Sequence, residues 1–183
     1  MSERPGIDVA VVMRKVHGSN KWHLWRWELA EVVQQQDAYG TEPRLLVDTP
    51  GEQRWLYPNF RVELFRDDAE GYYLNYTTDT PGWFVLWRME EEATIAAEPL
   101  ARPVMVSLSY HDAGRWLDAQ ETVEQVAAPP EVLEWLRAFI EAHYVAEPKR
   151  RKRPDSFRPL VDRFGNAASV TTEKQRGRGA GDV

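Results

Sequence analysis

Along this chain apolar residues fall into short runs with a period of two, and only after Pro129 does the period become that of a helix. Residues 7–13 (IDVAVVM) are β-branched and apolar, which predicts a buried strand. Gly18, Ser19 and Asn20 predict a turn. In 22–33, Trp25, Trp27 and Leu29 alternate with Arg26 and Glu28, while Trp22, Trp25, Leu29 and Val32 also satisfy helical spacing. The fit of Trp and Val to a pleated surface decides for strand. Residues 34–43 read as a loop. Two short strands follow at 44–48 and 53–57, around the Pro50-Gly51 turn, the second broken at Pro58. Phe60, Val62 and Leu64 then alternate with Arg61 and Glu63, as on a strand with one wet face. After a turn at 67–71, Tyr72, Leu74 and Tyr76 alternate as another strand. A turn at 79–82 leads to 83–89, apolar on both faces apart from Arg88, the pattern of a central strand. An acidic linker runs from Glu90 to Pro103. Val104, Val106, Leu108 and Tyr110 predict a further strand, 111–118 a single helical turn and 122–126 a weak last strand.

Residues 129–145 predict one amphipathic helix. Pro129 and Pro130 stand at its start, where proline is tolerated. Glu131 and Glu134 favour its positive end. Val132, Trp135, Leu136, Phe139, Ile140 and His143 share one face, and Pro148 ends the helix. Strands at about 8–12-residue spacing with hairpin-length turns predict an antiparallel sandwich or small barrel. The expected fold is mainly β (α+β) over residues 6–146, about seven or eight strands closed by the C-terminal helix. That order resembles the pleckstrin-homology-like layout, in which a helix plugs the open end of a bent sheet. The resemblance is one of layout alone.

Charge divides the chain. Before Lys149 there are 13 basic and 25 acidic side chains, and from Lys149 onward 10 basic and 4 acidic. Residues 147–183 therefore read as a basic tail, rich in Lys, Arg, Gly, Ser, Thr and Gln, a composition that predicts disorder. The tail opens on five consecutive cations, Lys149, Arg150, Arg151, Lys152 and Arg153. Its apolar residues cluster at Phe157, Leu160, Val161 and Phe164. Together these nine form the candidate partner-docking segment: cations to speed encounter with an acidic surface, apolar side chains to supply contact. Nucleic acid is disfavoured as the partner, because a strongly acidic body repels a polyanion.

The absence of Cys excludes disulfides, thiolate metal sites and a Cys nucleophile. No run reaches the roughly 18 apolar residues of a membrane span, and the first fifteen residues lack a small-residue cleavage site. A cytoplasmic protein is expected. His17, His23, His111 and His143 show no metal-ligand spacing, so no metal or cofactor is expected. His143 reads as a cation at a helix C-terminus. His111-Asp112 invites a base-and-orienter reading with Ser107 or Ser109, but no nucleophile elbow accompanies it, and a polar turn is the plainer reading. Neither phosphate-cradling glycine motif occurs. The Trp-rich run WHLWRW (22–27) reads as core, with Arg26 or Lys21 packed on a ring, ahead of an exposed aromatic platform.

Three segments carry a family resemblance: VAVVM at 9–13, KWHLWRWELAEVV at 21–33, and the run from SLSYHDAGRWLDAQETVEQV at 107–126 into PPEVLEWLRAFIEAHYVAEPKRRKR. Through them residues 7–153 resemble an uncharacterised bacterial family, domain of unknown function 3305. In place of that family's usual His pair and Phe, this chain has His143-Tyr144 and Lys149. The resemblance implies a small cytoplasmic protein, often encoded beside genes for molybdenum-dependent formate dehydrogenase. Some relatives carry a label as molybdopterin-guanine dinucleotide biosynthesis proteins. The N-terminus here, IDVAVVMRKVHGSN, lacks the glycine-rich nucleotide loop that label requires. The resemblance supplies no catalytic residues.

The resulting expectation is a non-enzymatic accessory or adaptor protein. Its partner would be a molybdoenzyme subunit or maturation factor. The alternatives are an enzyme or carrier acting on a molybdenum-cofactor precursor, and a nucleic-acid-binding protein acting through the tail.

Overall fold

The computed structural model describes residues 4–147. The chain divides into two units, Met1–Val145 and Ala146–Val183, and the fold below is that of the first. Seven strands form two antiparallel sheets, with three α-helices between and after them. The strands are β1 (Gly6–Asn20), β2 (His23–Gln34), β3 (Arg44–Thr49), β4 (Glu52–Glu63), β5 (Gly82–Met89), β6 (Ala101–Ser107) and β7 (Thr122–Ala127). The helices are α1 (Ala69–Tyr76), α2 (Tyr110–Asp118) and α3 (Pro130–His143). The expected strand number and antiparallel pairing hold. The single-helix expectation does not, and among the described residues the sheets do not close into a barrel.

The first sheet has the order β2-β1-β4-β3. β1 is central because both its faces are apolar: Val9, Val11 and Met13 point into the main core, and Ala10 and Val12 point the other way. The second face is buried too. Leu56 joins it, and Ala30, Val33 and Tyr39 pack over it, Tyr39 from a short 3-10 turn. Gly18, Ser19 and Asn20 belong to β1 rather than to a turn; the hairpin turns one step later, at Lys21 and Trp22. The Trp-rich segment is strand, as expected.

Pro58 does not break β4. Tyr57 pairs with Val11 and Phe60 with Val9, so two residues, Pro58 and Asn59, stand opposite Ala10. This is a bulge, a place in a sheet where a residue without an N–H is tolerated. Asn59 takes the left-handed conformation the bulge requires, at φ 68°.

The second sheet has the order β6-β5-β7, with β5 central as its two-faced apolar pattern predicts. Gly82, at the start of β5, pairs with Ala127. A Cβ on Gly82 would lie 2.0 Å from the Val126 carbonyl oxygen, so only glycine lets β7 approach this closely. β6 begins at Ala101 and ends at Ser107, so Tyr110 opens α2 instead of closing a strand.

The alternation of Tyr72, Leu74 and Tyr76 belongs to α1, not to a strand. Burial there follows a three-residue step: Tyr72 and Asn75 are buried while Tyr73 is exposed. Asn75 explains the choice. Its Nδ2 donates to the carbonyls of Gly82 and Leu108, each at 2.9 Å, and its Oδ1 accepts the Gly82 N–H at 3.2 Å. α1 is thereby bolted to β5 and to the segment entering α2. α3 buries Val132, Leu136, Phe139 and Ile140 against both sheets, and Phe139 meets Tyr72 edge-on at 5.7 Å. Each such side chain contributes about 1.5–3 kcal/mol by leaving water.

Candidate functional site

β2 and β7 are the facing edges of the two sheets, and no backbone ladder joins them among the described residues. A side chain bridges them instead. Glu124 Oε2 accepts the Leu29 N–H at 3.0 Å and the Trp87 indole N–H at 2.6 Å. Beyond this point the seam opens into a groove of 780 Å³. One wall is the run 30–34 of β2, and the other is 126–129, the end of β7 and the approach to α3. The floor is apolar, formed by Val9, Val32, Trp83 and Val132, with half-buried Trp135 at its side. Exposed Glu31 and Glu131 stand at the rim, and neither forms an ion pair among the described residues. Trp83 is 1% exposed and its indole N–H has no hydrogen-bond partner there, although such a buried donor is costly to leave unpaired.

A second concavity, of 510 Å³, lies at the far end of the first sheet, under the loop 90–100. Trp25, Trp27 and Trp55 line it. The expected aromatic cluster is therefore split. Trp27 packs on the core, Trp25 is 38% exposed and Trp22 is 85% exposed. Among the described residues, the cation over a ring of this cluster is Lys15. Lys15 lies 5.3 Å from the Trp25 ring and pairs with Glu98 on the loop at 2.7 Å, while Arg26 pairs with Glu28. Glu90 closes the base of that loop. It accepts from Arg102, from Thr94 Oγ1 at 2.7 Å and from the Leu100 N–H at 3.0 Å. Burial opposes its charge, but these bonds outweigh burial and hold its carboxyl below the usual range. Burial pushes the nearby Tyr57 phenol far above its ordinary range, with Arg102 opposing and Glu90 adding to the shift.

The His111-Asp112 pair is not a base with its orienter. His111 Nδ1 lies 3.0 Å from Asp68 Oδ1, on the turn before α1. Asp112 is occupied elsewhere: it accepts from Ser107 Oγ at 2.6 Å and pairs with Arg115. Ser109 is the N-cap of α2, its Oγ accepting the Asp112 N–H at 3.3 Å. A hydroxyl with no exposed surface that caps a helix is closed to a substrate. Gly71 lets the cluster close up, because a Cβ there would lie 2.5 Å from both Asp68 Oδ1 and Ser109 Oγ. The arrangement locks α1 to α2, and the residues read as a polar turn form the first turn of helix α2.

His17 stacks on Trp25 at 4.0 Å, and His143 lies in the last turn of α3, 4.5 Å from the Phe139 ring. Among the described residues no three His, Asp or Glu side chains converge as metal ligands. No helix there is long and apolar enough to cross a membrane. The candidate docking residues Lys149, Arg150, Arg151, Lys152, Arg153, Phe157, Leu160, Val161 and Phe164 lie outside the described residues. The groove itself went unpredicted. Its local signal is the run of small residues Ala127 and Ala128 before Pro129 and Pro130, which leaves a strand edge uncovered by bulky side chains.

No curated protein and no solved structure matches the chain. A family model described as "Protein of unknown function (DUF3305)" matches residues 8–153. That span holds every strand and helix apart from the first residues of β1, and both walls of the groove. Covering most of the chain, it shows that this protein belongs to the DUF3305 family.

Proposed function

We propose that this chain is a non-enzymatic accessory protein that holds a partner polypeptide in the groove between β2 and β7. One observation carries the reading. An apolar groove is bounded on two sides by strand edges, and no ladder among the described residues uses those edges toward each other. The polar clusters at α2 and at Glu90 are consumed by capping and loop closure. In this proposal the two sheets are an open sandwich and α3 is the plug at its open side. The resemblance supplies the partner class: a subunit or maturation factor of a molybdenum-dependent oxidoreductase. The cations at 149–153 would speed encounter with an acidic patch on that partner.

The test is capture from native lysate by the full-length parent and by Ala127→Trp, with mass spectrometry of what is retained. Ala127 is exposed and lines the groove, so an indole there fills the mouth without entering the core. Partners held by the parent and lost by the variant support the reading. The same partners held by both contradict it.

A further inference from the structure

The groove has the anatomy of a missing strand. β2 and β7 are edge strands, so each carries a row of outward N–H and C=O groups. Where the edges come closest, Glu124 takes up one of these donors, the Leu29 N–H. Past that bond the lining consists of consecutive residues, 30–34 on one side and 126–129 on the other. Successive side chains of a strand point to opposite faces, so a wall made of consecutive residues is the main-chain edge itself. Five residues of β2 offer about 16 Å of edge at about 3.3 Å per residue, the length of a short strand. Natural edges are commonly blunted by Lys or Pro, and 30–34 (AEVVQ) contain neither, whereas the opposite wall is blunted: the Ala128 N–H is spent on the Pro81 carbonyl, and Pro129 has no N–H and gives its carbonyl to Val132 and Leu133. The one irregularity, a bulge at Ala30, stands at the closed end of the groove next to Leu29.

The rest of the groove describes its guest. The floor is apolar, and the buried Trp83 indole N–H is a donor without an acceptor among the described residues. Its nitrogen has no surface open to the groove, so it offers a guest no hydrogen bond. Glu31 and Glu131 at the rim lack cationic partners there, so a guest bearing Lys or Arg is favoured and an acidic one repelled. A helix is a poor guest because its backbone groups are already paired, whereas an extended chain brings unpaired groups to the β2 edge.

We propose that the groove binds an extended, basic–apolar polypeptide segment by strand addition to the β2 edge, on the side that faces β7. Alternate apolar side chains pack on Trp83, Val132 and Trp135, and Lys or Arg side chains reach Glu31 and Glu131. This rests on the accessory-protein reading and names the chemistry of the segment that the partner inserts.

The probe is a fluorescein-labelled heptapeptide, Lys-Val-Thr-Val-Thr-Val-Lys, titrated into the full-length protein and followed by anisotropy. Two control peptides accompany it: one with Glu at both ends, and one N-methylated at its valines so that it cannot join a ladder. The parent is expected to bind the Lys peptide at least about tenfold more tightly than either control. Glu31→Lys with Glu131→Lys changes two exposed positions and should leave the fold intact, checked by its thermal melt. It should reverse the preference toward the Glu-ended peptide. Equal binding of the N-methylated peptide, or an unchanged preference in the double variant, overturns strand addition. Failure of the probe peptide to bind the parent overturns it too. If Ala127→Trp still abolishes lysate capture in those cases, the accessory reading stands and only the mode of binding is wrong. If capture survives Ala127→Trp, the accessory reading at this groove falls as well.

Discussion

The Glu124 carboxylate on β7 accepts the backbone N–H of Leu29 on β2 at 3.0 Å, across the seam between the two sheets. The same oxygen holds the Trp87 indole N–H at 2.6 Å. One side chain thus does for the two edges what a ladder does elsewhere. It fixes where the seam is shut and leaves the groove open beyond. Because two donors depend on one acceptor oxygen, Glu124→Ala should lower unfolding free energy by about 2–3 kcal/mol, and Glu124→Gln by about 1 kcal/mol. Urea denaturation followed by Trp fluorescence measures both. A loss under about 0.5 kcal/mol in the alanine variant would show that the edges are held by packing alone.

Asn75 is completely buried and makes three hydrogen bonds to the backbone of Gly82 and Leu108. Replacing it with Leu keeps the branched shape but strands one N–H and two carbonyls in the core. The expected cost is about 3 kcal/mol or more, large against an ordinary domain stability of about 5–15 kcal/mol. A thermal melt of Asn75→Leu within a degree or two of the parent would refute this account of how α1 is attached.

On α3 the residue that matters to folding is Leu136, with no exposed surface, rather than its neighbour Trp135, which is half-buried along the groove. Leu136→Ala should cost about 3–5 kcal/mol. Trp135→Ala should cost less, about 2 kcal/mol, because part of its surface already meets solvent. Its larger effect is expected on peptide binding. Equal destabilisation by the two substitutions, measured side by side in urea, would place Trp135 in the core.

What the sequence made legible follows from where each signal resides. β1 and β5 were readable because burial on both faces leaves an unbroken apolar run. α3 was readable because its buried positions repeat at helical spacing between two proline signals. α1 was not. Tyr72, Leu74 and Tyr76 show strand-like alternation, and what makes the segment helical is the reach of Asn75 to Gly82 and Leu108, a tertiary effect. Pro58 misled for the same reason, since a bulge is visible only once the pairing of β4 with β1 is known. The groove was the least legible feature. Leu29 and Glu124 are 95 residues apart, and nothing local says that their two strands are edges that face each other.

The last prediction concerns the loop over the three tryptophans. Glu90 gathers its base through Arg102, Thr94 and the Leu100 N–H, and its side chain is 5% exposed. Its carboxyl is held below the ordinary range because the bonds it accepts outweigh the burial that opposes its charge. A carboxyl whose folded pKa is depressed contributes stability that is fully present above its unfolded pKa, about 4.3, and is lost as pH falls through the folded value. Glu90→Gln keeps the shape but not the charge, and leaves Arg102 without its partner. At neutral pH the variant should be less stable than the parent by about 1–2 kcal/mol. That gap should close on acidification below about pH 4, as the parent's own Glu90 takes up a proton. The loop should also loosen first, because beyond Glu90 it is tied to the sheet by the ion pair Lys15–Glu98, whose carboxylate is largely exposed, worth only about 0–1 kcal/mol. Paired denaturation curves across pH 3–7, with hydrogen exchange over 91–100, test both statements. A gap that stays constant with pH would mean that the charge on Glu90 does not hold the loop.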